Sequence, residues 1–306
     1  MRSRLLFLIG IIFSLSRWAS PPTALAAGLL FAFAATHPYP KQSSGASRFL
    51  LQASVVALGF GMNFHQVLRT GRSGLLYTAL GIGFALAVGS LIGHLLEVHK
   101  TPAFLISAGT AICGGSAIAA VGPITGANDD EMSISLGTIF ILNSIALLTF
   151  PAIGAALHLS QQQFGLWAAL AIHDTSSVVG AAAKYGATAL AVGTTVKLTR
   201  ALWIIPVSVG TAAWKRSKAK IKIPWFIFLF VLAAIANSYV AFGTTVFPKL
   251  ASAGKIGLTV TLFLIGASLS PGQIKRVGPR PLLQGVLLWI VVGTVSLLAI
   301  RLGWIG

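Results

Sequence analysis

The stretch AICGGSAIAAVGPITGANDDE, Ala111–Glu131, decides how the rest of the chain is read. It starts apolar, breaks at Gly114-Gly115-Ser116, resumes as small residues and ends on three acids, Asp129, Asp130 and Glu131. About 20 residues of this polarity are enough to cross a bilayer. A backbone break at membrane depth frees N–H and C=O groups that lipid cannot satisfy. It is tolerated where it lies against protein or a watery cavity. A helix restarting at Ser116 turns its positive end, with unpaired amides, into the membrane interior, which suits an anionic group. The plainer use of Gly-Gly-Ser-Ala is tight helix packing.

The composition sets the class. The chain has 306 residues, 56% hydrophobic and only 9% charged, where a soluble domain carries about 25% charged residues. The expected fold is an all-α polytopic membrane protein. The net charge of +17 does not indicate nucleic acid. The cations are spread over short loops, as the positive-inside rule produces. The single cysteine, Cys113, excludes an internal disulfide. There is no Walker motif, dinucleotide fingerprint or HExxH. No metal site, cofactor or catalytic residue is expected, and the chain is not read as an enzyme.

Helices are expected near 4–17, 22–36, 47–65, 74–96, 102–125, 130–157, 163–184, 187–214, 223–241, 255–270 and 281–303, about 11 transmembrane segments. The first 27 residues, basic and then apolar with Ala24-Leu25-Ala26, fit a first helix or a cleavable signal segment. Placing the N-terminus in the cytoplasm puts 13 Lys and Arg inside against 7 outside, with KRSKAKIK (215–222) inside. If 102–125 and 163–184 were both re-entrant, every later loop would keep its side, so charge cannot tell spans from re-entrants. A weak echo links 55–76 to 261–283, each an apolar run, a small or polar turn, a basic stretch and a new helix. It reads as an internal repeat, or as what any short basic loop looks like.

A second interruption resembles the first. His173-Asp174-Thr175-Ser176-Ser177 stands inside an apolar span, GLWAALAIHDTSSVVGAAAKYG. An intramembrane Asp costs about 2.5–3.5 kcal/mol on insertion scales and needs a partner or water. Asp-Thr-Ser is also capping chemistry for a restarting helix. A surface loop here would leave two pieces of about ten residues, each too short to span. Lys197 and Arg200 form a third element. They are i,i+3 on one helix face, near mid-depth, with Thr194 close to that face. They face Asp174 or an anionic solute, or they staple helices as a structural pair. Asn143, in FILNSIALL, supports a broken backbone or a neighbouring helix. Asn128 to Glu131 caps the following helix.

AICGGSAIAAVGPITGANDDE, FGLWAALAIHDTSSVVGAAAKYG and VKLTRALWIIPVSV, in this order and spacing, resemble the YeiH-type family, which carries a sulfate-exporter label. The resemblance covers nearly everything after about residue 20. It implies kinship with the cation/proton antiporter and anion transporter superfamily, in which inverted repeats pack a core of broken helices against a scaffold. It also implies a bacterial inner-membrane location and a homodimer. The breaks here are only about 60 residues apart, closer than simple five-helix repeats would place them.

The expectation is one transmembrane transporter domain over 1–306, with 1–20 as an extra helix or signal-like segment and 101–214 as the core region with the two broken helices. Its solute is a small anion, inorganic such as sulfate or organic, and its other partner is the lipid bilayer. Gly114, Gly115, Ser116, Thr175, Ser176, Ser177, Lys197 and Arg200 would bind the anion. Asp174, with His173, would couple H+ or Na+. Asn143 and Thr194 would support. The alternatives are a cation/proton antiporter using Asp174 and a passive anion channel.

Overall fold

The computed structural model describes residues 2–16, 18–216, 224–240, 245–269 and 277–305. Arg17, Lys218, Lys220, Lys222, Lys275 and Arg276, all used in the charge count, lie outside the described residues, as does the 270–276 part of the sequence echo.

Among the described residues the structure is helical throughout: α1 (Arg2–Leu15), α2 (Pro21–Ala34), α3 (Pro40–Gly59), α4 (Phe64–Leu95), α5 (Lys100–Ala111), α6 (Gly115–Thr125), α7 (Asp129–Ala156), α8 (Gln161–Ala171), α9 (Thr175–Tyr185), α10 (Ala187–Leu202), α11 (Ile204–Lys215), α12 (Phe226–Tyr239), α13 (Phe247–Ser268) and α14 (Pro279–Arg301). Every expected helical stretch has a counterpart. The expected crossings do not all appear as single helices. Among the described residues, five helical stretches are long and apolar enough to cross a membrane, or six if α3 and the start of α4, bent by 112°, count as one span. The reason is local: 102–125 and 163–184 are each two short helices. At 1.5 Å per residue such a piece is about 17 Å long, against a hydrocarbon core of about 30 Å. Large apolar side chains stay exposed along the helices, Leu30, Leu80 and Leu95 among them, as a lipid-facing surface requires.

The chain forms two compact units. The first comprises Met1–Thr70 and Pro224–Pro271. Here α13 packs against α1, α2 and α3. The α2 contact is backbone to backbone, because a Cβ on Gly266 would lie 2.6 Å from the Leu25 carbonyl. Such small-residue crossings bring membrane helices close together. Phe7, Phe31 and Phe263 fill the space beside it. At the α3–α4 corner, the Phe64 amide donates to Ser238 Oγ at 2.8 Å and Asn237 Nδ2 donates to the Met62 carbonyl at 3.1 Å. The corner's freed backbone groups thus find partners on α12.

The second unit comprises Gly71–Ile223 and Gly272–Gly306. In it α7 packs on α5 and α9, α10 on α8 and α9, and α14 on α5, α7 and α8. Two helices start on reciprocal capping boxes, α7 on Asn128 with Glu131 and α8 on Ser160 with Gln163. Gln284 of α14 is fully buried and donates to the carbonyls of Gly89 and Ala103 at 3.1 and 3.0 Å, tying α14 to α4 and α5.

Candidate functional site

The two interruptions fall where the sequence places them. The α5–α6 break covers Ile112 to Gly114, and Gly115 and Ser116 open α6. The α8–α9 break covers Ile172 to Asp174, so Thr175, Ser176 and Ser177 form the first turn of α9. Gly114 has φ +66° and ψ −129°, a conformation open to glycine and strained for other residues.

The breaks meet. A Cβ placed on Gly114 would lie 3.0 Å from Asp174 Cβ and 3.3 Å from its amide nitrogen. Glycine therefore serves twice here: it permits the turn and lets the second break approach its backbone. Asp174 is the N-cap of α9, its Oδ1 accepting from the Ser177 amide at 2.7 Å. From α7, Asn143 Oδ1 accepts from the amides of His173 and Asp174 at 3.0 and 3.3 Å. Asn143, His173, Asp174, Thr175, Ser176 and Ser177 are buried, whereas Ser116 in the first turn of α6 is exposed.

Lys197 and Arg200 address the other ends of the broken helices. Lys197 Nζ donates to the carbonyls of Ile172 at 2.7 Å and Ala169 at 3.3 Å. Arg200 donates through Nε to the Ala111 carbonyl, through Nη1 to Leu170 at 2.6 Å and through Nη2 to Thr110 at 3.3 Å. One guanidinium thus holds the C-terminal carbonyls of α5 and α8 together. These are the orphan groups of a helix C-terminus, where cations are favoured. Sequence reasoning considered only the N-terminal ends of the broken helices, which call for anions. The signal for the cations was available, because two breaks also leave two sets of carbonyls. Thr194 is fully buried, and its hydroxyl has no hydrogen-bond partner among the described residues.

Among the described residues, the buried Asp, Glu, Lys and Arg side chains are Asp174, Lys197 and Arg200. Asp174 takes part in neither ion pair found there, His99–Glu131 and Glu97–Arg280. Two cations and one carboxylate therefore share this interior. Sequence reading passed over the aromatic wall beside it. Phe150 stacks on Trp167 and Trp289 with ring centroids 4.3 and 5.7 Å away, and the His173 ring lies 6.5 Å from Trp289. Nothing in a lone Trp on α14 foretold that contact. A cavity of about 220 Å³ reaches Leu170 and Arg200 and is lined mainly by apolar groups such as Leu80, Phe84 and Val292. No group of His, Cys, Asp and Glu suited to a metal occurs among the described residues.

Residues 8–285 match the family model described as conserved hypothetical protein 698. A UPF0324 membrane protein of Bacteroides thetaiotaomicron is 53% identical over 288 residues, covering 92% of this chain and 86% of the relative. The chain belongs to the UPF0324, or YeiH-type, family. A UPF0324 membrane protein of Geobacter sulfurreducens is 47% identical, covering 94% of this chain and 93% of its own. One from Bdellovibrio bacteriovorus is 46% identical, with 99% and 95% covered. The UPF0324 relatives thus span the broken helices and both units. No solved structure matches the chain.

Proposed function

We propose that this membrane protein is a secondary active transporter of a small anion, with its solute site where the two breaks meet. The observation that carries this reading is the buried charge among the described residues: Lys197 and Arg200 against Asp174. A net positive charge held away from water is costly unless an anion compensates it. The donors beside it are of the kind anions take: the first-turn amides of Gly115 and Ser116 in α6 and of Thr175 and Ser176 in α9. Lys197 and Arg200 hold the broken helices and supply the positive field. Asp174 serves as the coupling carboxylate, with H+ or Na+ as its ion. The site opens in turn to the two sides of a bacterial inner membrane. No catalytic step is assigned.

One observation favours a second reading, a cation/proton antiporter. Asp174 is a lone buried carboxylate, and Lys197 is a lysine buried in the same interior. Reconstituted vesicles separate the two readings from each other and from a channel. Anion uptake against its gradient, driven by a pH or Na+ gradient, is the expected result. Anion flux that only equilibrates would make the protein a channel, and proton-coupled Na+ flux without anion flux would make it the antiporter.

A further inference from the structure

Asn143 and His173 are left with hydrogen-bonding capacity that the protein does not use. Asn143 is 2% exposed and His173 1%. Two backbone amides donate to Asn143 Oδ1, so the side-chain amide cannot flip. Its Nδ2, with two N–H donors, has no acceptor among the described residues. Neither ring nitrogen of His173 has a partner among the described residues. A neutral imidazole offers one donor and one lone pair. Asn143 and His173 thus bring three unused N–H donors and one unused ring acceptor to the junction of the breaks, all buried, where unpaired polar groups are costly. The charged groups around them are Asp174 on the same break and Lys197 and Arg200 from α10. Their formal charges sum to +1.

From this inventory we infer that Asn143 and His173 recognise a singly charged oxyanion that keeps at least one hydroxyl group, such as hydrogencarbonate, hydrogensulfite or dihydrogen phosphate. Its oxygens take the Asn143 and His173 N–H donors, and its hydroxyl donates to the remaining ring nitrogen. Its single charge balances Lys197 and Arg200 against Asp174. Chloride, nitrate and sulfate lack the hydroxyl and leave the ring nitrogen unpaired. The inference rests on the anion-transport reading and narrows it to a solute class.

Thermal melts of the purified full chain, at one fixed pH near neutrality, test it against those three hydroxyl-bearing anions and against nitrate, chloride and sulfate. A bound ligand raises Tm by mass action. One hydroxyl-bearing anion is expected to act at a concentration at least about tenfold below nitrate or chloride, because buried polar groups discriminate strongly. Asn143→Asp keeps an oxygen for the two backbone amides but replaces the donor with an acceptor. It should still melt cooperatively and lose at least about tenfold in anion affinity. His173→Phe keeps a ring without nitrogen and should still bind anions while no longer favouring the hydroxyl-bearing ones. Equal shifts from nitrate and hydrogencarbonate, unchanged in both variants, would overturn the inference and leave anion transport standing. No shift of the parent chain by any anion would instead count against the transport reading itself.

Discussion

At the residue scale, the site depends on a few side chains with separable duties. Gly114 is the least replaceable. Alanine there must adopt a positive φ and place its methyl against Asp174, a strain of about 1–3 kcal/mol. Gly114→Ala should lower the melting temperature and abolish transport, both measurable on the reconstituted protein. Arg200→Ala strips three carbonyls of their donor. At about 1–3 kcal/mol for a buried group left unpaired, it should cost about 3 kcal/mol or more. Lys197→Ala frees two carbonyls and should cost about 2 kcal/mol. Melts without ligand read these losses directly. If Arg200→Ala melted like the parent, the guanidinium would not be holding α5 and α8. Asp174→Asn behaves differently. Its side-chain oxygen still caps α9, and Asn is as good a cap as Asp, so stability should hold within about 1 kcal/mol while coupled transport stops.

At the element scale, the broken helices show what hydrophobic patterning can and cannot reveal. Gly-Gly-Ser and His-Asp-Thr-Ser-Ser each stand out as polar or flexible residues in an apolar span, and both breaks lie where that contrast puts them. The capping role of Asp174 was legible for the same reason, since N-cap chemistry is local. The destinations of Lys197 and Arg200 were not, because their acceptors lie 25 to 90 residues away along the chain. Tertiary packing decides such pairings, and one sequence does not display it. The Trp289 ring beside His173 escaped notice on the same ground. Helix packing in the first unit yields a further test. Gly266→Leu would push a side chain into the α2 backbone at Leu25 and Leu29. It should lower stability by about 1–3 kcal/mol without altering ligand preference, as melts with and without anion would show.

At the scale of the whole molecule, the membrane class follows from composition, and the exposed apolar helix faces agree with it. The division into two units was not legible as such. It joins 1–70 to 224–271, a pairing set by α13 meeting α1, α2 and α3 and not by any boundary signal along the chain. What unifies the molecule functionally is the charge stored where the breaks meet, and Asp174→Asn changes that charge by one while keeping the cap. Anion affinity should therefore rise in the variant, because the interior loses the Asp174 carboxylate. The most direct measurement is a thermal-shift titration of parent and Asp174→Asn protein with the preferred anion and, separately, with Na+. A tighter anion response in Asp174→Asn, with no Na+ response that depends on Asp174, is the expected result. A Na+ shift in the parent that vanishes in Asp174→Asn, with no anion shift in either protein, would contradict the anion site and make the chain a cation antiporter.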